Sequence, residues 1–120
     1  MKKILVIDDD EGILEAMRLT LVTAGYSVET LITDGKDIIK KVKNVSPDLV
    51  ILDYLLSGQE GKNICKQLKS ERSTGKIPIL ITSAHPNVEK LAVEAGADDF
   101  IEKPFDIDEL LNKIKKNILL

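Results

Sequence analysis

Cysteine is almost absent from this chain. Its 120 residues include one, Cys65, so no internal disulfide can form and no multi-cysteine metal site can be built. Long hydrophobic runs are missing too. Met1-Lys2-Lys3 is followed by only four apolar residues, Ile4 to Ile7, before three acids, which is too short for a signal-peptide core or a membrane span. Nor is there an excess of positive charge. Lys and Arg number 17 against 20 Asp and Glu, a net charge of -3, so nothing global favours nucleic acid or an anionic membrane as partner. These absences lead to the expectation of a cytoplasmic protein that binds neither directly. No repeat, linker or low-complexity tract interrupts residues 1–120, which are expected to form one domain around a single core.

What is present is an alternation of short apolar runs and amphipathic stretches. Leu49-Val50-Ile51-Leu52 is opened by Pro47-Asp48 and closed by Asp53, which predicts a strand buried on both faces with a carboxylate at its carboxyl end. Ile4 to Ile7 predicts another, closed by Asp8-Asp9-Asp10. Ile13, Leu14, Met17 and Leu21 fall at helical spacing, with an Asp as N-cap and Gly25 as the stop. Tyr26 to Leu31 predicts a more polar edge strand, and Asp34-Gly35 the start of a second helix whose buried face is Ile38, Ile39, Val42 and Val45. Ile64, Cys65 and Leu68 mark a short third helix, with Lys62, Lys66 and Lys69 as a solvated face. Pro78 to Ser83 predicts a fourth strand ending in two hydroxyls. Pro86 suits the first position of a helix carrying Val88, Leu91, Ala92 and Ala95. Asp99 to Glu102 predicts a fifth strand before Lys103-Pro104, and Asp106 opens a last helix carrying Ile107, Leu110, Leu111, Ile114 and Ile118.

Five strands alternating with five helices imply right-handed βαβ units and a doubly wound parallel α/β sheet with helices on both faces. The order 2-1-3-4-5 would put the first and third strands side by side at the switch point, where ligands bind beyond the strand ends. Asp8, Asp9 and Asp53 would converge there. Clustered carboxylates repel unless one is protonated or a divalent cation is bound, and oxygen-only ligands favour Mg²⁺. Phosphoryl transfer needs positioning and charge neutralisation, which such an ion, Lys103 and the Ser83 hydroxyl could supply while Asp53 acts as nucleophile.

Taken in order, Ile4 to Asp10, Asp48 to Asp53, Pro78 to Ala84 and Gly96 to Phe105 resemble the receiver domains of two-component response regulators over essentially the whole chain. The resemblance implies a flavodoxin-like (βα)5 fold and phosphorylation of Asp53 by a phosphohistidine of a sensor histidine kinase or phosphotransfer protein. It implies Mg²⁺ held by Asp9, Asp53 and the Leu55 carbonyl, with Asp8 acting mostly through water. Lys103 would pair with the phosphoryl group, Ser83 would bond to it, and Phe100 would be the switch aromatic. By the same resemblance the domain catalyses its own phosphorylation and dephosphorylation without being an enzyme in the ordinary sense. It would signal or form homodimers through the face of its fourth helix, fifth strand and fifth helix. Two positions depart from the pattern: Ser57 stands where the family usually has proline, and His85 lies two residues after the switch hydroxyl.

Plainer readings stand beside these. One of Asp8, Asp9 and Asp10 caps a helix, most simply Asp10. Ser83 is preferred to Thr82 by alternation. His85 is expected to be an exposed loop histidine, Cys65 a buried small hydrophobe, and Phe100 could serve packing alone. The rival function is a small haloacid-dehalogenase-like phosphatase with Asp8 as nucleophile and Asp10 as general acid. Gly12 and the absence of a role for Asp53 weigh against it. A phosphorylation-independent docking module is the other alternative. The closing Ile118-Leu119-Leu120 hints at an output or linker segment beyond it, with a single-domain phosphorelay carrier or chemotaxis-type regulator as the alternative.

Overall fold

Apolar runs with β-branched residues form the middle of a parallel sheet when helices cover both of its faces. In the computed structural model, which describes residues 1–33, 35–56 and 59–118, they do so as β1 (Lys3–Asp8), β3 (Leu49–Asp53) and β6 (Ile79–Ser83). The more polar β2 (Ser27–Ile32) and the short β7 (Asp99–Glu102) form the edges. The order β2-β1-β3-β6-β7 is the predicted 2-1-3-4-5 order, with every pairing parallel. The two extra labels belong to β4 (Leu55–Leu56) and β5 (Gln59–Glu60), an antiparallel ribbon just after β3. Two-residue strands carry no periodicity, so the ribbon stands where the sequence predicts only a loop.

Alternation along each buried strand divides the core in two. Leu5, Ile7, Val50, Leu52, Ile79 and Ile81 pack with residues of α2 (Ile38–Val45), α3 (Gly61–Ser70) and α4 (Val88–Ala95). Ile4, Val6, Leu49, Ile51 and Leu80 pack with residues of α1 (Glu11–Thr23) and α5 (Ile107–Ile118). Each fully buried aliphatic side chain contributes roughly 1.5–3 kcal/mol of transfer free energy, so a one-residue slip in register is strongly disfavoured.

The helices follow their caps. Asp10 accepts a hydrogen bond from the Ile13 amide at 3.1 Å and opens α1 as expected. Helix α2 starts later than Asp34-Gly35, at Ile38. The Thr33 hydroxyl accepts from the Gly35 amide and donates to the Lys36 carbonyl, a local turn that competes with helix. Asp34 itself lies outside the described residues, as do Ser57, Leu119 and Leu120. Pro86 falls in the turn before α4 rather than in its first position, since Asn87 is the cap.

Three residues sit differently from expectation. Ile13 and Ile107 are not buried, at 37% and 57% exposure. The buried stripe of α5 runs instead Leu110, Ile114, Asn117, at the helical spacing of four and three. Lys69 is not merely solvated, because its Nζ donates to Asp98 Oδ2 at 2.9 Å and to the Ile77 carbonyl at 3.2 Å. Among the described residues no helix is long and apolar enough to cross a membrane.

Candidate functional site

The carboxyl ends of β1, β3, β6 and β7 deliver the charged and hydroxyl side chains that sequence reading singled out. Ile7 of β1 pairs with Leu52 of β3, which sets Asp8 beside Asp53 at adjacent strand ends. One residue later Asp9 lies at the start of the turn into α1. Ligand oxygens of Asp8, Asp9 and Asp53 lie within 4.8 Å of one another, with Asp8 buried, Asp53 half-buried and Asp9 exposed. Lys103, one residue past β7, completes the group. Its Nζ stands 3.4 Å from Asp8 Oδ2 and 3.4 Å from Asp53 Oδ1. Charge-assisted N–H···O bonds are usually about 2.7–2.9 Å, so the ammonium is shared between two carboxylates rather than committed to one.

This environment sets the protonation of Asp53. Burial pushes its carboxyl up, the neighbouring charges of Asp8 and Asp9 push it further, and Lys103 opposes them, with a net rise to about 6. Near neutral pH Asp53 is an ionised but destabilised carboxylate. Three acids facing one lysine leave an excess of negative charge. An all-oxygen donor set with that excess fits a hard divalent cation, and Mg²⁺ is the expected one. A side of the cluster must stay open for it, and Asp9 supplies that exposure.

The hydroxyls stand on β6. Thr82 is the register partner of Asp53 and is buried, while Ser83 pairs with Glu102 at the next position. Ser83 lines a cavity of about 240 Å³ with Tyr54, Leu55, His85 and Leu91, whereas Thr82 is not among the residues lining it. The Ser83 hydroxyl oxygen accepts the His85 amide at 3.0 Å, and His85 Nδ1 accepts the Asn87 amide at 3.0 Å. His85 is otherwise exposed. Phe100 is half-buried against the cluster that contains Tyr54 and Val88. Cys65 is fully buried, with its thiol pushed up to about 11 chiefly by that burial.

The loop after Asp53 is held close by a glycine. The Gly61 amide donates to the Tyr54 carbonyl, and a Cβ at Gly61 would lie 3.0 Å from that same oxygen. A side chain there would push α3 away from the backbone of the site by a few tenths of an ångström.

The model of the response regulator receiver domain fits residues 4–115. The chain belongs to the response regulator receiver domain family. Curated relatives of this receiver domain include response regulator MprA of Mycobacterium sp. strain KMS, 42% identical over 94% of this chain and 49% of its own length. MprA of Mycobacterium leprae is 41% identical with the same coverages. The receiver domain thus spans about half the length of these relatives. Among solved structures, chemotaxis response regulator CheY4 of Vibrio cholerae superposes with a TM-score of 0.86 at 28% identity, covering 98% of each chain. A CheY-like receiver domain protein of Methanospirillum hungatei gives 0.86 at 30% identity, covering 98% of this chain and 94% of its own. The family role of the receiver domain is that of a phosphoacceptor in two-component signalling.

Sequence reading missed Tyr54, buried next to the acceptor, and a polar network on β7 and α5. Asp99, Lys113 and Asn117 meet there with Phe100. A signal was available for the network, because Asn117 falls on the apolar stripe of α5, three residues after Ile114.

Proposed function

We propose that Asp53 is the residue of this receiver domain that accepts a phosphoryl group from a phosphohistidine of a sensor kinase or phosphotransfer protein. The observation that carries the proposal is the convergence of Asp8, Asp9, Asp53 and Lys103 at one strand edge. In the transfer, an Asp53 carboxylate oxygen bonds to phosphorus as the nitrogen–phosphorus bond breaks, and the imidazole leaves with its electron pair and takes a proton from solvent. Asp53 is ionised near neutral pH and so available for attack, with its charge incompletely compensated by Lys103.

Asp9, Asp53 and the Leu55 carbonyl would hold Mg²⁺, with Asp8 contacting it mostly through water. The ion supplies neutralisation of charge between the carboxylates and the phosphoryl oxygens. Lys103, now shared between Asp8 and Asp53, turns to the new phosphoryl oxygens. Ser83 exchanges the His85 amide for the phosphoryl group, and Phe100 repacks on the cavity that Ser83 lines. The domain thereby promotes its own phosphorylation and dephosphorylation. The face of α4, β7 and α5 carries the change to partners or to a second copy.

Incubation with acetyl phosphate and Mg²⁺ tests the assignment. The native chain and Asp8→Asn should both take up label, the latter more slowly, and Asp53→Asn should take up none. Label retained by Asp53→Asn but lost in Asp8→Asn would instead favour a haloacid-dehalogenase-like phosphatase.

A further inference from the structure

Strand β7 is tied at both ends, and the second tie has no part in the chemistry above. At its carboxyl end Lys103 reaches Asp8 and Asp53. At its start Asp99 and Phe100 are gripped from α5. The Lys113 ammonium donates to the Phe100 carbonyl at 2.6 Å and to Asp99 Oδ1 at 3.2 Å, and it lies 4.1 Å from the centroid of the Phe100 ring. One turn later Asn117, buried, donates its side-chain amide to Asp99 Oδ2 at 2.8 Å. Burial pushes the Asp99 carboxyl up, but Asn117, the Phe100 amide and Lys113 outweigh it and hold it below the usual range, so it stays an anion at neutral pH.

We propose that Lys113, seated by Asp99 and Asn117, is a positioning residue that couples the acidic site to helix α5, with β7 as the connecting rod. The inference rests on the reading of Asp53 as phosphoryl acceptor. Lys103 is held by two contacts of 3.4 Å, so added negative charge on Asp53 draws it toward the site. Only Pro104, Phe105 and Asp106 separate Lys103 from α5, and within the sheet β7 pairs with β6 alone, so a pull on Lys103 is passed along β7 to the residues that α5 grips. Any shift of Phe100 then displaces the main-chain oxygen and the aromatic face that Lys113 touches together. A cation with three simultaneous partners on two consecutive residues moves with them, and its own helix moves with it. Lys116, 3.9 Å from Asp99 and mostly exposed, is a weaker second contact.

Amide NMR spectra recorded before and after adding beryllofluoride with Mg²⁺ test the coupling. In the native chain the amides of residues 53–56, 82–84 and 107–118 should all shift. Lys113→Met keeps the stem over the Phe100 ring and removes the ammonium. It should preserve the shifts at 53–56 and 82–84 while reducing those at 107–118 at least twofold. Lys113→Arg should restore them. A full α5 response in Lys113→Met would overturn the proposal, and so would loss of the response at 53–56 in that variant, which would make Lys113 a requirement of the site rather than a coupler. Absence of any shift at 53–56 in the native chain is a different result, and it would remove the acceptor reading itself.

Discussion

Replacing Asp53 by Asn in metal-free buffer should make the protein more stable, because the native carboxylate is held where it is costly to ionise. Its folded-state value is about 6 against the ordinary 3.8, so between those values the folded chain binds more protons than the unfolded one. The contribution of Asp53 to stability is therefore most favourable below 3.8 and is lost as pH rises through 6. With 1.36 kcal/mol per unit, the loss is about 3 kcal/mol at pH 7.5 and about 1 kcal/mol at pH 4.5. Asn is uncharged and nearly isosteric and escapes this penalty, while Lys103 keeps Asp8 as its partner. For a domain of this size that gain at pH 7.5 corresponds to a rise in Tm on the order of 10 °C. The assay is thermal or urea unfolding of both proteins with a chelator at pH 7.5 and 4.5. Added Mg²⁺ should then narrow the gap by stabilising the native chain more than the variant. An Asp53→Asn protein no more stable than native at pH 7.5, or an advantage equally large at pH 4.5, would refute the account of the site's electrostatics.

Two further expectations concern the scaffold. The Cys65 thiol is buried and pushed up to about 11, so in the folded protein it should react with a disulfide reagent at least a hundredfold more slowly than in urea, as followed by absorbance. Gly96 ends α4 at φ +78°, where L side chains are strained, so Gly96→Ala should cost about 1 kcal/mol in urea unfolding although its Cβ would meet open space.

The fold was legible because its determinants are local and repeated. The four-residue runs at Ile4 to Ile7 and Leu49 to Leu52, β-branched and too short for helices, read as strands with two buried faces, and the acids closing them marked the candidate edge. Asp8, Asp9, Asp53 and Lys103 were legible for the same reason, since each sits at or within one residue of a strand's end. What escaped was set by tertiary contact. The ribbon at Leu55–Leu56 depends on a partner strand of two residues, and the late start of α2 depends on a Thr33 side chain competing with the backbone. Helical spacing put Ile13 and Ile107 on apolar stripes, but each lies near the start of its helix and at the margin of the buried face, where coverage runs out. Asn117 reads as polar and hence solvated until Asp99 appears across from it. Lys69 was assigned to solvent for the same reason, with Asp98 as the unseen partner.

The most direct test of the central claim is to phosphorylate the native chain with a phosphohistidine donor and Mg²⁺, reduce the acyl phosphate with borohydride, and locate the modified residue by peptide mass mapping. Modification at Asp53 alone is the predicted result, and modification at Asp8 with Asp53 untouched would contradict it.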